Sequence, residues 1–194
     1  MTVNRDSFSP LQRALHWLMA VMVLAMLFIG VTMVSTVKPR FLTLIAIHKL
    51  LGIAILVLAF LRLYFRWKRG APPLSNDLSS IQAVAAKLSH AVLYALLIAM
   101  PLIGWGMLSA GGYPTVLFGS FHLPRILPHD DQLYAALRTA HTLLAYIFFA
   151  TILLHIAAAL FHALIRRDGV FQAMTHSRPR DPLHLQQCSG ANSD

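Results

Sequence analysis

Charge, glutamate and cysteine are all scarce in this sequence of 194 residues. Only 12% of the positions are charged, no acidic residue is a glutamate, and Cys188 is the sole cysteine. The low charge argues against a soluble domain, whose surface needs more ionised side chains. One cysteine excludes an internal disulfide, a cysteine-bound zinc ion, an iron–sulfur cluster and a covalently attached haem. Metal or redox chemistry would therefore have to depend on histidine, and the chain has ten.

Long uncharged stretches make up most of the chain, of which 57% is hydrophobic. A helix needs about 20 mainly apolar residues to cross a bilayer. The stretch 18–31 is apolar on every side, whereas a buried helix of a soluble bundle shows polar residues with a period of about 3.6. The sequence therefore predicts an all-α integral membrane protein, built as a bundle of four transmembrane helices. The predicted spans are about 11–35, 42–66, 84–109 and 137–165.

The basic residues indicate how the chain is oriented. Sixteen Lys and Arg against seven Asp give a formal net charge of +9. With the N-terminus inside, eleven basic residues fall on the inner side and five on the outer side, as the positive-inside rule requires. Both termini are then cytoplasmic, and the charge needs no nucleic acid partner to explain it. We expect 1–167 to form the transmembrane domain and 168–194 a polar, disordered cytoplasmic tail.

Six of the histidines fall inside the predicted spans or at their edges. They are His16, His48, His90, His141, His155 and His162. An ionisable side chain is costly in hydrocarbon and by default marks a functional site. A single such histidine can be explained by a hydrogen bond to a neighbouring helix, but that explanation is much weaker for six.

The spacing of these histidines predicts two sites at different depths. His141 and His155 are 14 residues apart, which places them on one helix face and about 21 Å apart along its axis. Counted from the outer ends of their spans, His48 and His141 lie at similar depths. His16 and His155 both lie in the inner half of the bilayer. We therefore hypothesise that two b-type haems are stacked across the bilayer, each bound by a pair of imidazoles.

Two glycines lie at helical positions that suit such cofactors. Gly30 follows His16 by 14 residues and Gly104 follows His90 by 14, so each is on the face of its histidine at the opposite depth. A missing side chain there leaves room for a flat macrocycle. Close packing of helices through small residues is the alternative explanation.

Cations also share the faces of the histidines. Arg13 and Arg138 each precede a histidine by three positions, and Arg62 follows His48 by 14. These side chains are candidates to pair with haem propionates. Basic residues that reach out to the membrane surface from helix ends are the common alternative.

The segments around these histidines resemble the bacterial cytochrome b561 family over roughly residues 8–170. The resemblance is carried by LQRALHWLMA with His16 and Trp17, by IAIHKLLGIAILVLAFLRLYFR with His48, by HAVLYALLIAMPLIGWGM, and by AHTLLAYIFFATILLHIAAALFH. It implies a dihaem cytochrome of the bacterial inner membrane that transfers electrons between a periplasmic donor and the quinone pool. For similar members the donor is taken to be superoxide, oxidised to O2, with ubiquinone as the acceptor.

The resemblance also implies roles for individual residues. It gives His16 with His155, and His48 with His141, as the axial pairs, in agreement with the depth argument. His90 and His162, together with Trp17, match the family's quinone region on the inner side. An exchange of His155 and His162 as ligand remains an alternative.

Two other functions are compatible with the sequence. The chain could be the haem-bearing membrane anchor of a dehydrogenase or hydrogenase, with a protein redox partner docked on the basic inner side. It could also be a non-redox transporter whose histidines relay protons.

Five outer cations against two outer aspartates favour a small anionic donor, because a positive face steers anions toward it.

Overall fold

The structure is a computed structural model that describes residues 8–35, 39–70, 80–119 and 121–175. Within these ranges four helices are long and apolar enough to cross a membrane, because each exceeds the length of about 20 residues that the hydrocarbon core requires. They are α1 (Pro10–Ser35), α2 (Arg40–Arg69), α3 (Ser80–Ala110) and α4 (Asp131–Leu160), the last continued by a π-helix at Phe161–Arg166. The predicted all-helical fold with four membrane-spanning helices is confirmed.

The helices extend somewhat beyond the predicted spans because polar residues stabilise their ends. At the start of α4, Asp130 is extended and its carboxylate accepts a hydrogen bond from the Leu133 amide at 2.9 Å, which satisfies a free N–H group of the first turn. At the end of α2, three basic residues occupy the last turn and Gly70 has a positive φ of 74°. Cations there interact favourably with the helix dipole.

The core of the bundle is an apolar layer at mid-depth. Val23, Ile55, Leu96 and Phe148, one from each long helix, form a buried cluster. Phe148 is seven residues from both His141 and His155, so the cluster separates two histidine-containing levels. Large apolar side chains elsewhere face outward, for example Val34 with 91% and Phe28 with 73% of its surface exposed. An apolar exterior of this extent fits a lipid environment.

The segment between α3 and α4 forms a small hairpin that the sequence analysis did not predict. We call this end of the bundle the outer end, and the opposite end the inner end, after the orientation predicted from the basic residues. Strands β1 (Thr115–Phe118) and β2 (Phe121–Leu123) pair antiparallel, with Val116 opposite His122. The segment is fastened to the end of α3 by a Trp105 Nε1 hydrogen bond to the Pro124 carbonyl at 3.0 Å. The Asp130 amide also donates to the Ala110 carbonyl at 3.0 Å. The hairpin thus lies against the outer end of the bundle.

The inner end of α4 is followed by a turn and a short helix, α5 (Gln172–Thr175). Trp17 on α1 donates from Nε1 to the Met174 carbonyl at 3.0 Å, which holds this segment against the bundle. The first part of the predicted tail is therefore connected to α1 by a hydrogen bond. The rest of that tail, 176–194, lies outside the described residues.

Candidate functional site

The outer pair of histidines comes from α2 and α4. The ring centroids of His48 and His141 are 6.2 Å apart and the rings are inclined by 63°. Both Nδ1 atoms are buried. In the part of the chain that the structure describes, Nδ1 of His48 has no hydrogen-bond partner, whereas the His141 ring lies within reach of the Met100 carbonyl. A buried polar atom without a partner costs about 1–3 kcal/mol, so Nδ1 of His48 is suited to a bound group that supplies one.

Gly104 of α3 lies beside this outer pair. A Cβ atom at position 104 would lie 3.4 Å from Cε1 and 3.7 Å from Nδ1 of His141. Any side chain larger than a methyl group would therefore meet the imidazole. A Cβ at Gly30 of α1, by contrast, would have no atom within 4 Å among the described residues. Gly104 thus lets the His141 imidazole pack closely against α3, whereas Gly30 leaves open space on α1.

The inner histidines form a group of three rather than a pair. His16 of α1 and His155 of α4 have ring centroids 6.4 Å apart and an angle of 76° between the rings. The ring of His90 from α3 is 5.6 Å from that of His155. His90 donates from Nδ1 to the Ala86 carbonyl one turn earlier, at 2.7 Å. This bond fixes the orientation of its ring beside His155.

One cation, Arg62, lies near the inner histidines. Arg62 is close enough to His16, His90 and His155 to interact with them electrostatically. Its Nε donates to the Tyr94 hydroxyl at 3.0 Å, while its buried Nη1 has no hydrogen-bond partner among the residues described.

The other two predicted cations and a small cavity lie around these levels. Arg13 is half-buried on α1, one turn before His16, and Arg138 is exposed on α4, one turn before His141. The small inner cavity opens near the end of the bundle. Its lining consists of Phe8, Gln12, Arg62, Arg66, Tyr94 and Met174.

The structure separates the roles available to His155 and His162. His155 lies next to His16, whereas His162 lies in the π-helix and its Nδ1 is 2.6 Å from Oδ2 of Asp168. This arrangement favours His155 over His162 as the partner of His16. Trp17 lies with its ring centroid 5.6 Å from that of His16. Sequence analysis had missed Asp168; its signal is a lone acid directly after a span that ends in two arginines.

The donor set limits what kind of metal group these residues could hold. Over the described ranges, no cluster of three or more His, Cys, Asp or Glu side chains could hold a metal ion. A metal bound by a histidine pair therefore needs further ligands from a cofactor. The fold and the site together define a membrane protein in which helices present histidines in the bundle interior at two depths.

Comparison with known proteins agrees with this class. A family model described as prokaryotic cytochrome b561 matches residues 7–177. The "Probable superoxide oxidase CybB" of Yersinia pestis is 32% identical over 173 residues, which cover 86% of this chain and 94% of that relative. "Cytochrome b561 homolog 1" of Escherichia coli K12 is 27% identical over 181 residues, 89% of this chain and 99% of the relative. The chain belongs to the prokaryotic cytochrome b561 family.

Family membership has direct consequences for the chemistry of the bundle. It implies a b-type haem, electron transfer within the membrane, and a multi-pass bacterial membrane protein. A b-type haem is held without covalent bonds, through axial ligands to iron. This is compatible with a chain that has a single cysteine.

Proposed function

We propose that this protein is a dihaem cytochrome of the bacterial inner membrane, with both termini cytoplasmic. It transfers electrons from a small periplasmic donor to the quinone pool. The donor we propose is superoxide, which gives up one electron to become O2. The observation that carries the proposal is the presence of histidine pairs with nearly equal ring separations, 6.2 Å and 6.4 Å, at two levels of one bundle.

These separations suit two imidazoles that would hold one iron ion between them, because a metal–nitrogen bond of about 2 Å would place each ring centre roughly 3 Å from the ion. His48 and His141 are proposed to hold the outer haem, and the unpartnered Nδ1 of His48 agrees with a site that needs another group. His16 and His155 are proposed to hold the inner one. When bound, the haems supply the one-electron chemistry.

The surroundings of each pair support the same assignment. The absence of a side chain at Gly104 allows the close approach of the His141 ring to α3, and Gly30 leaves open space on α1 that would admit a flat ring. Arg62 offers a buried guanidinium nitrogen at the inner level, which suits a propionate. Arg13 and Arg138 are proposed as further propionate partners.

The outer end carries charge that suits an anionic donor. Four described cations lie on this side, against the two aspartates at the start of α4; they are Arg40, Lys49, Arg125 and Arg138. An excess of positive charge raises the rate at which a small anion arrives. The relative from Yersinia pestis, named a probable superoxide oxidase, supports superoxide as this anion.

The inner end carries groups that suit quinone reduction. Trp17, His90 and His162 are proposed to bind the quinone or to supply protons to it. Histidine is fitted to that task because its ordinary pKa lies near neutrality. Quinone reduction consumes protons, so a site on the cytoplasmic side would take them from that compartment.

Stopped-flow reduction of the purified haem-loaded protein by superoxide tests the proposal. We expect the reduced haem bands to appear after mixing with superoxide, and to decay when ubiquinone-1 is present. A heat-treated sample serves as the control for direct reaction of superoxide with quinone. If the haem bands stay oxidised after mixing with superoxide, superoxide is rejected as the donor. If the reduced bands do not decay when ubiquinone-1 is present, quinone is rejected as the acceptor. Copurification of an iron–sulfur subunit at unit stoichiometry would support the membrane-anchor function instead.

A further inference from the structure

The turn that follows the π-helix at the inner end of the bundle contains a buried acid, Asp168, that the proposed function leaves without a role. The side chain of Asp168 is 8% exposed, whereas that of Asp131 at the outer end is 91% exposed. A carboxylate is rarely buried to this extent unless its oxygens are paired. Asp168 therefore belongs to a local structure that holds it in place.

Three donors surround the Asp168 carboxylate. Nδ1 of His162 is 2.6 Å from Oδ2, and Nε of Arg166 is 3.4 Å from the same oxygen. The Val170 amide donates to Oδ1 at 3.3 Å. Arg166 also donates from Nη1 to Oε1 of Gln82 on α3 at 2.8 Å. The acid is thus connected both to the histidine and, through the arginine, to a second transmembrane helix.

The backbone turns back on itself to bring these side chains together. In an α-helix, residues six apart are separated by about 240° around the axis and about 9 Å along it, so residues 162 and 168 would face apart. Here the Arg167 amide donates to the His162 carbonyl at 2.8 Å, which closes a π-helical turn. Arg167 and Gly169 then adopt positive φ angles of 51° and 83°. A non-glycine residue in this region is uncommon, and π-turns are frequent at functional sites.

Asp168 remains an anion in these surroundings. Burial by itself raises the pKa of the carboxyl, but the hydrogen bonds from His162 and Val170 and the charge of Arg166 lower it, and the net pKa lies below the ordinary value. An anionic acceptor at Nδ1 keeps a proton on that nitrogen and fixes the tautomer and orientation of the ring. The opposite nitrogen, Nε2, is then the one available to exchange a proton.

We propose that Asp168 is a positioning residue for quinone reduction, which holds His162 through Nδ1 so that Nε2 can protonate a quinone oxygen. The inference rests on the proposed function. Two superoxide anions each lose one electron and become O2, and the quinone gains both electrons. For each proton delivered, the Nε2–H bond of His162 breaks and an O–H bond to the quinone forms. His162 regains its proton from cytoplasmic water, and Asp168 stays ionised throughout.

The charge of Asp168 can be separated from its shape by a matched set of variants. Asp168→Asn keeps the size and one acceptor oxygen but removes the charge, whereas Asp168→Glu keeps the charge. Asp131→Asn makes the same chemical change at an exposed position on the outer end. Haem content and absorption spectra of all four proteins are compared first, and then the reduction and equilibrium binding of ubiquinone-1.

The proposal predicts a change in turnover without a change in binding. We expect Asp168→Asn to lower kcat for ubiquinone-1 by at least about tenfold. Its KM and the Kd for ubiquinone-1 stay within about twofold, and the solvent deuterium isotope effect on kcat rises because proton delivery becomes slower. Asp168→Glu restores part of the turnover, and Asp131→Asn matches the unsubstituted chain.

Three results would overturn the proposal in distinguishable ways. If the unsubstituted protein does not reduce ubiquinone-1, the proposed function fails and this inference fails with it. Equal kcat and isotope effect in the unsubstituted and Asp168→Asn proteins would reject the role of Asp168 alone. Loss of haem from both Asp168 variants would make Asp168 a purely structural fastening of the tail to the bundle, which also contradicts the proposal.

Discussion

The outer and inner ends of the bundle share a histidine pair but differ in what surrounds it. At the outer end, Nδ1 of His48 has no hydrogen-bond partner among the described residues, and a hairpin lies nearby. At the inner end, a third imidazole joins His16 and His155, and the partly buried Arg62 lies close to all three. A histidine–aspartate pair, His162 and Asp168, lies further along the same end. The histidine–aspartate pair at the outer end, His129 and Asp131, is exposed to solvent, whereas Asp168 at the inner end is buried. The proposed function, in which only electrons are exchanged outside and both electrons and protons inside, would account for this asymmetry.

The largest expected effect comes from removing single axial ligands. His48→Ala or His141→Ala should each remove one haem and leave the other, and His16→Ala or His155→Ala should remove the opposite one. His90→Ala is the matched control at the inner level, because His90 lies beside His155 but is not one of the proposed haem ligands, and it should retain both haems. The number of haems per chain is the haem concentration from a pyridine haemochrome assay divided by the protein concentration. If His155→Ala retains both haems and His90→Ala loses one, then His90 rather than His155 is the ligand of the inner haem.

Next in size is the effect of His162 on quinone chemistry. His162→Ala should lower ubiquinone-1 reduction by about 100-fold, in the range of general acid catalysis, while haem content is unchanged. His122→Ala, in the outer hairpin, is the control and should have normal turnover. The measurement is steady-state reduction of ubiquinone-1 with both haem bands monitored. Unimpaired turnover in His162→Ala would remove this residue from the inner site.

A smaller effect is expected from filling the space beside His141. Gly104→Leu should lower haem occupancy at the outer level, because even its Cβ would contact the imidazole ring at 3.4 Å. Gly52→Leu is the matched control on α2, since a Cβ there meets only the flexible end of Met26 at 3.6 Å. Redox titration of each variant resolves the two haems. If the redox titration of the outer haem is unchanged in Gly104→Leu, this glycine serves helix packing alone.

The smallest effect concerns the outer charges. Arg125→Gln should slow haem reduction by superoxide severalfold at low salt, and the difference should shrink as salt screens the field. Lys68→Gln, on the inner end, should leave this rate unchanged. Rapid mixing at two ionic strengths provides the comparison. A salt-independent defect in Arg125→Gln would point to its hydrogen bond with the Gly112 carbonyl at 3.3 Å rather than to steering.

The bundle and its histidine levels were accessible from sequence because they depend on regular geometry. Hydrophobic length predicts spans, and a 14-residue interval on a helix predicts a shared face, so that His48 and His141 could be matched by depth. The structure brings His16 and His155 together as expected. The same rules place Arg62 at the inner level, where it interacts with these histidines.

Other parts of the site depend on local chain reversals that helical periodicity cannot express. The pairing of His162 with Asp168 requires a π-turn and a positive φ at Arg167, which no spacing rule predicts. The strands of the outer hairpin at 115–123 are only three or four residues long, which is too short for an alternating pattern to predict them. The approach of His90 to His155 depends on how α3 packs against α4, and not on either sequence alone.

The most direct test of the account is the number and ligation of haems in the unsubstituted protein. Haem quantification combined with electron paramagnetic resonance of the oxidised protein gives both. The account predicts two b-type haems per chain, each low-spin and ligated by two imidazoles. One haem or none per chain, or high-spin five-coordinate signals from both, would contradict it.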